Sequence, residues 1–144
     1  MVKSILILNG PNLNLLGSRQ PEIYGDETLD EIAAAMTDHA AILGVELDIR
    51  QSNHEGHLID WLHEAQATGA AAVILNAGGY SHTSVALHDA IKAIATPVIA
   101  VHLSDPEARE AFRHLDLVGL AAIRIIKGRG AAGYILALDA AARL

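Results

Sequence analysis

Short runs of Ile, Val, Leu and Ala recur at Ser4 to Leu8, Ala71 to Leu75, Val98 to Val101 and Ala121 to Ile126. Each is followed by a polar or glycine-containing break and then by apolar residues at helical spacing. Continuous apolar runs of this length predict strands buried on both faces, and their alternation with helices predicts βαβ units in a parallel sheet. The run from Val45 to Arg50 reads differently. Val45, Leu47 and Ile49 alternate there with Glu46, Asp48 and Arg50, the pattern of a strand with one face in water, which places it at an edge of the sheet.

The helices are marked by their ends. Thr28 and Glu31 form a capping box ahead of Leu29, Ile32, Ala33, Met36, Ala40 and Leu43, and Gly44 closes that helix. A second helix covers Gly56 to Thr68, with Leu58, Trp61, Leu62 and Ala65 inward. A third starts near Ser81, buries Leu87, Ile91 and Ile94, and stops before Pro97. Ser104, Pro106 and Glu107 signal a short fourth helix, and the last runs from about Ala131 onward. Trp61 and Phe112 are assigned to the core. With no internal repeat, linker or low-complexity tract, residues 1–144 are expected to form one domain. Its predicted architecture is α/β, a flavodoxin-like three-layer sandwich whose five-stranded parallel sheet has the order 2-1-3-4-5.

Composition narrows the function. At 144 residues the chain is long enough to bury a core. It is 51% apolar, yet no stretch has the length or uniformity of a membrane span, and the N-terminus lacks a signal-peptide layout, so a cytoplasmic protein without a membrane partner is expected. The absence of cysteine removes disulfides, thiolate nucleophiles and cysteine zinc sites. A net charge of −7 disfavours nucleic acid and leaves a small molecule as the expected partner.

In an open parallel sheet ligands bind beyond the carboxyl ends of the strands, where strand order reverses. The segments that end there are "NGPNLNLLGSRQPEIYG" after strand one, "NAGGYSHTS" after strand three and "HLSD" after strand four. They bring Asn9, Asn12, Asn14, Arg19, Tyr24, Asn76, His82, Ser84, His102 and Ser104 to one rim. A phosphate-accepting receiver domain needs acidic residues after the first strand and an aspartate after the third, where this chain has Asn9, Asn12 and Asn76. A flavin phosphate loop needs hydroxyls after strand one, and none precedes Ser18. "GRGAAG", Gly128 to Gly133, matches the dinucleotide fingerprint literally, but only eleven residues follow it, leaving no second strand and no acidic ribose partner. His54, Glu55 and His57, and His82 with His88, form no complete metal-ligand set.

These blocks, with "RQSNHEGHLIDWLHEA", "LNAGGYSHTSVALHDA", "VHLSD" and "EAREAFRH", resemble the type II 3-dehydroquinate dehydratases of the shikimate pathway over nearly the whole length. The resemblance implies the fold just argued, no cofactor, and assembly as trimers packed into a dodecamer. It implies a hydro-lyase that converts 3-dehydroquinate to 3-dehydroshikimate through an enolate. Tyr24 would be the base, with Arg19 beside it on a mobile lid loop of about residues 17–27. Asn12 would hold the water that stabilises the enolate, and His102 would protonate the departing hydroxyl. Asn76, His82, the Leu103 and Ser104 amides and Arg113 would hold the substrate, and Asp89 would reach a neighbouring subunit's site. The pairing of Tyr24 with Arg19 has a physical reason: a phenol with a pKa near 10 is only about one part in a thousand ionised at pH 7, and a nearby guanidinium favours the phenolate.

The last third departs from the family. A glutamate that helps hold the acid histidine is usual two residues before it, where this chain has Ala100. Asp116 and Leu117 replace an expected Ser and Tyr, Asp105 stands where Asn is common, and Lys127 and Arg129 flank Gly128. Asp105 and Asp116 are the candidates to supply the missing carboxylate, and restoring it by Ala100→Glu is expected to raise activity if the missing carboxylate matters. The alternative is a diverged relative with impaired or altered activity that binds a cyclitol-like carboxylic acid, and a third reading is a non-catalytic binding or assembly module.

Overall fold

The computed structural model describes residues 2–144. Five parallel strands, β1 (Ser4–Asn9), β2 (Glu46–Gln51), β3 (Ala72–Asn76), β4 (Val98–His102) and β5 (Arg124–Lys127), form one sheet in the order β2-β1-β3-β4-β5. The expected order is therefore observed, with the second strand at an edge. Alternation along the central strands explains the three layers. Ile5 and Ile7 of β1 face one side, where they pack with α2 (Leu29–Leu43) and α6 (Ala132–Ala142) through Met36, Ala40, Tyr134 and Leu138. Leu6 and Leu8 face the other, against α3 (Glu55–Thr68) and α4 (Val85–Ala93) through Leu58, Leu62, Leu87 and Ile91. A strand covered on both faces has no polar side to show, hence its unbroken apolar run.

The capping box forms as expected: the Glu31 amide donates to the Thr28 hydroxyl at 3.1 Å, and the Thr28 amide donates to the Glu31 carboxylate at 3.2 Å. On the edge strand β2, Arg50 donates to both Asp48 and Glu64 and lies 5.5 Å from the Trp61 ring centre. It thus covers the side of the sheet with charge and leaves Trp61 partly buried.

Three expectations are corrected. The segment before α2 is not all loop: Pro21–Tyr24 makes one helical turn, α1, started by a proline that tolerates the first helical position and closed by Gly25 at φ 85°. The short fourth helix signalled at Ser104 to Glu107 is instead two 3-10 turns, Pro106–Ala108 and Ala111–Arg113, and a true helix, α5, forms only at Leu117–Ala121. That leaves β5 starting at Arg124 rather than Ala121. Phe112 is not core: it sits on the second 3-10 turn, 67% exposed, under the Arg113 guanidinium. A three-residue turn has no face long enough to bury a ring.

Candidate active site

The order reversal between β1 and β3 puts a crevice at the carboxyl ends of the strands. A cleft of about 190 Å³ lies there, walled by Asn12, Arg19, Tyr24, Asn76, His82 and His102 together with Leu103, Ser104, Arg109 and Arg113. Nine of the ten residues to which the family resemblance assigns a role therefore share one cavity, whereas Asn9, Asn14 and Ser84, also expected at the rim, do not line it. Nor does Asp89: it is exposed on α4, away from the cleft.

One wall carries the phenol. Tyr24 ends α1, and the Arg19 guanidinium lies 4.6 Å from its ring centre. Arg109, which sequence reasoning passed over, stands 5.1 Å from the same ring and donates to the Ser104 hydroxyl at 3.3 Å. Both guanidiniums lie within cation–π range of the same ring, so the phenol sits among two positive charges. The other tyrosines are spent elsewhere. Tyr80 donates to the Asn53 carbonyl at 2.8 Å. Tyr134 is fully buried, donates to the Asn9 side chain at 2.6 Å and accepts from Asn76 at 2.9 Å. Burial pushes the Tyr134 phenol well above its ordinary range, only partly offset by the Asn76 hydrogen bond, so it stays neutral. Among the described residues only the Tyr24 hydroxyl both lacks a protein partner and lines the cleft.

The opposite wall carries the imidazoles. His102, 6% exposed at the end of β4, bonds through Nε2 to the Asp116 carboxylate at 2.6 Å. Its ring is stacked on His82 with centres 6.2 Å apart. The His82 Nδ1–H donates to the Leu115 carbonyl at 2.8 Å, since a carbonyl can only accept. Burial disfavours the Asp116 charge, but hydrogen bonds from His102 and the Gly119 amide and the nearby imidazoles outweigh it, and the carboxyl titrates below its usual value. Of the two candidate replacements for a carboxylate at position 100, Asp116 reaches the histidine. Asp105 instead caps the turn at 106–108, accepting from the Glu107 amide at 3.0 Å, with Lys127 beside it at 3.9 Å.

Between the walls lie amide donors. The carbonyls of Leu103 and Ser104 accept from the Gly130 and Gly128 amides at 3.0 and 3.1 Å. The glycines of "GRGAAG" thus brace the loop after β4. The Leu103 and Ser104 N–H groups donate to no protein acceptor among the described residues, leaving two backbone donors free for an anion. Asn76 is held by the Tyr134 hydroxyl and by the Gly78 amide, which donates to its side-chain oxygen at 3.2 Å. Asn12 adopts left-handed backbone at φ 69° and its amide donates to the Asn53 side chain at 3.0 Å. Its own side chain makes no hydrogen bond within the described residues. The supporting residues Asn53, Gln51 and Tyr134 carried no local sequence signal, because their partners lie about 40 to 60 positions away, as with Asn12 and Asn76. Among the described residues no group of three or more His, Asp or Glu side chains gathers in a metal-binding arrangement.

Comparison with known proteins identifies the family. The family model for dehydroquinase class II matches residues 3–142. The 3-dehydroquinate dehydratase of Caulobacter sp. (strain K31) is 56% identical over 144 residues, spanning 100% of this chain and 97% of that protein. The crystal structure of type II dehydroquinase from Propionibacterium acnes superimposes with a TM-score of 0.95 at 40% identity, covering 100% of this chain and 99% of that one. The type II dehydroquinase from Butyrivibrio crossotus gives 0.95 at 37% identity, covering 97% of each chain.

Proposed function

The chain belongs to the class II dehydroquinases, and on that premise we propose that it dehydrates 3-dehydroquinate to 3-dehydroshikimate through an enolate, with Tyr24 as base and His102 as acid. The carrying observation is that one cleft sets a phenol flanked by two guanidiniums against an imidazole held by a carboxylate. The Tyr24 phenolate takes a proton from the carbon beside the ketone, and the C–H electrons move onto the ketone oxygen. A water held by Asn12 donates to that enolate oxygen. The enolate then collapses, the carbonyl re-forms, and the C–O bond β to it breaks as His102 gives its proton to the leaving hydroxyl. One water leaves, and proton return from Tyr24 to His102 through solvent resets the site. The free Leu103 and Ser104 amides and Arg113 suit the substrate carboxylate, while Asn76 and His82 suit its hydroxyls.

Residues 17–27 act as a lid in this reading, with Gly17 at φ 94° and Gly25 at φ 85° at or near its ends in backbone that other residues rarely adopt. Closure removes water and strengthens the attraction between Arg19 and the phenolate. In this reading Asp89, exposed on α4, serves a neighbouring copy's cleft in a trimer-based dodecamer, and exposed Leu115, Leu120 and Ile123 supply the apolar surface for that packing. An impaired relative is the alternative that Ala100 suggests, and the Asp116 carboxylate on His102 weighs against it. The test is growth of conjugated-enone absorbance when purified protein meets 3-dehydroquinate. Turnover by the wild type, lowered about 10²- to 10⁴-fold by Tyr24→Phe in a folded protein, supports the reading. Ligand bound without turnover supports the alternative, and absence of binding a non-catalytic module.

A further inference from the structure

We infer that Asp116 is a positioning residue for the reaction: its carboxylate sets the tautomer and orientation of His102, and Gly119 makes the room for it to do so. The inference rests on the reading of His102 as the proton donor. An ionised carboxylate only accepts, so the 2.6 Å contact means that Nε2 carries the hydrogen it donates to Oδ2. The ring's other nitrogen, Nδ1, has no protein partner among the described residues, and it is the one left to exchange a proton with a ligand in the cleft. In the neutral ring Nδ1 is then the acceptor that a returning proton needs, and in the charged ring it is the donor.

The surroundings fix the carboxylate as firmly as the ring. Asp116 lies between two residues whose carbonyls are pinned by imidazoles, Leu115 by His82 at 2.8 Å and Leu117 by His88 at 2.6 Å. Its second oxygen, Oδ1, accepts from the Gly119 amide at 2.8 Å and starts α5. A Cβ at position 119 would come within 2.7 Å of the Asp116 carboxyl carbon and 2.7 Å of the Ile125 side chain, so any other residue there displaces the carboxylate. The strand neighbour on the same face as His102, Ala100, is 1% exposed and its side chain offers no polar atom. Capping alone does not call for a carboxylate, since Ser84 caps α4 with a hydroxyl that accepts from Leu87 at 2.9 Å. The charged oxygen that caps nothing points at the imidazole.

Asp116→Asn tests this, because its carbonyl oxygen keeps the cap while the NH₂ turned toward His102 forces Nε2 to accept. The wild type is expected to show the Nε2–H tautomer of His102 by ¹⁵N NMR, and the variant the Nδ1–H tautomer. With that change kcat should fall at least about 100-fold while KM stays within about two-fold, the pattern of a misoriented catalytic histidine. Asp116→Ser, which also retains an N-cap acceptor, serves if the first variant folds poorly. A folded variant with wild-type kcat overturns the inference. So does a loss of kcat with the tautomer unmoved, which assigns the loss to the cap. His102→Ala is measured alongside: if it retains full kcat, the acid reading itself falls and this inference with it, whereas loss in His102→Ala beside an unaffected Asp116→Asn sinks the positioning role alone.

Discussion

Asn76 and Tyr134 meet in the interior, the Asn76 side-chain N–H donating to the Tyr134 hydroxyl at 2.9 Å, and that hydroxyl donates in turn to Asn9 at 2.6 Å. A helix residue far along the chain thereby orients an amide in the cleft. Tyr134→Phe should cost about 1–3 kcal/mol, because it leaves buried Asn9 and Asn76 groups unpaired. Urea unfolding measures the loss, and a rise in KM with little change in kcat would report the loosened Asn76.

The same phenol gives a pH dependence. The folded state holds Tyr134 neutral beyond the range where the unfolded chain ionises it, so the unfolded state sheds its proton first as pH rises. Stability is therefore full below about pH 10 and declines above it. Tyr134→Phe should flatten that alkaline slope, as followed by denaturant midpoints across pH.

Asp116 acts with the opposite sign. Its carboxyl is held below the ordinary value in the folded state, so its contribution is present above about pH 4 and is lost as pH falls through the folded value. The stability gap between wild type and Asp116→Asn should narrow on acidification. A gap independent of pH would show that the charge does not stabilise the fold.

Two guanidiniums share Tyr24, at 4.6 and 5.1 Å from its ring centre. At an effective dielectric of about 20, a unit charge near 5 Å is worth at most roughly 3 kcal/mol, or about 100-fold in rate. Arg19→Ala and Arg109→Ala should each lower kcat by about 10- to 100-fold, and Arg109→Lys should recover part of it. Steady-state kinetics decide this, and an unaffected Arg109→Ala would leave Arg19 to act alone.

Ala100 is buried on the face that His102 shares, and Asp116 already occupies the imidazole. Ala100→Glu alone should therefore lower both melting temperature and kcat, by overpacking worth about 1–3 kcal/mol and by like-charge repulsion. Combined with Asp116→Ser, the same glutamate should restore part of the activity that Asp116→Ser loses. A gain from Ala100→Glu by itself would mean that Asp116 does not serve the histidine.

The central strands and the long helices were legible because burial on two faces and capping leave periodic, local marks: Ile5 to Leu8, Thr28 with Glu31, and Leu58 with Leu62 state their environment within a few residues. The rim residues were legible once the strand order was, since topology alone brings Asn12, Asn76 and His102 together. What stayed hidden depends on geometry between distant segments. Phe112 has the composition of a core residue but sits on a turn too short to bury it. Arg109 reaches Tyr24 only because two 3-10 turns replace the expected helix. Asp116 could be named as a candidate from sequence, yet its selection over Asp105 came from which carboxylate reaches the ring.

The amides of Gly128 and Gly130 hold the carbonyls of Ser104 and Leu103, so the anion-facing loop after β4 takes its final shape only when the turn after β5 has docked. In chain order every side chain expected to touch substrate, Arg113 being the last, precedes that brace. In a refolding chain the capacity of that loop to hold an anion would consequently return with the docking of this turn, which makes binding a reporter for completion of the fold.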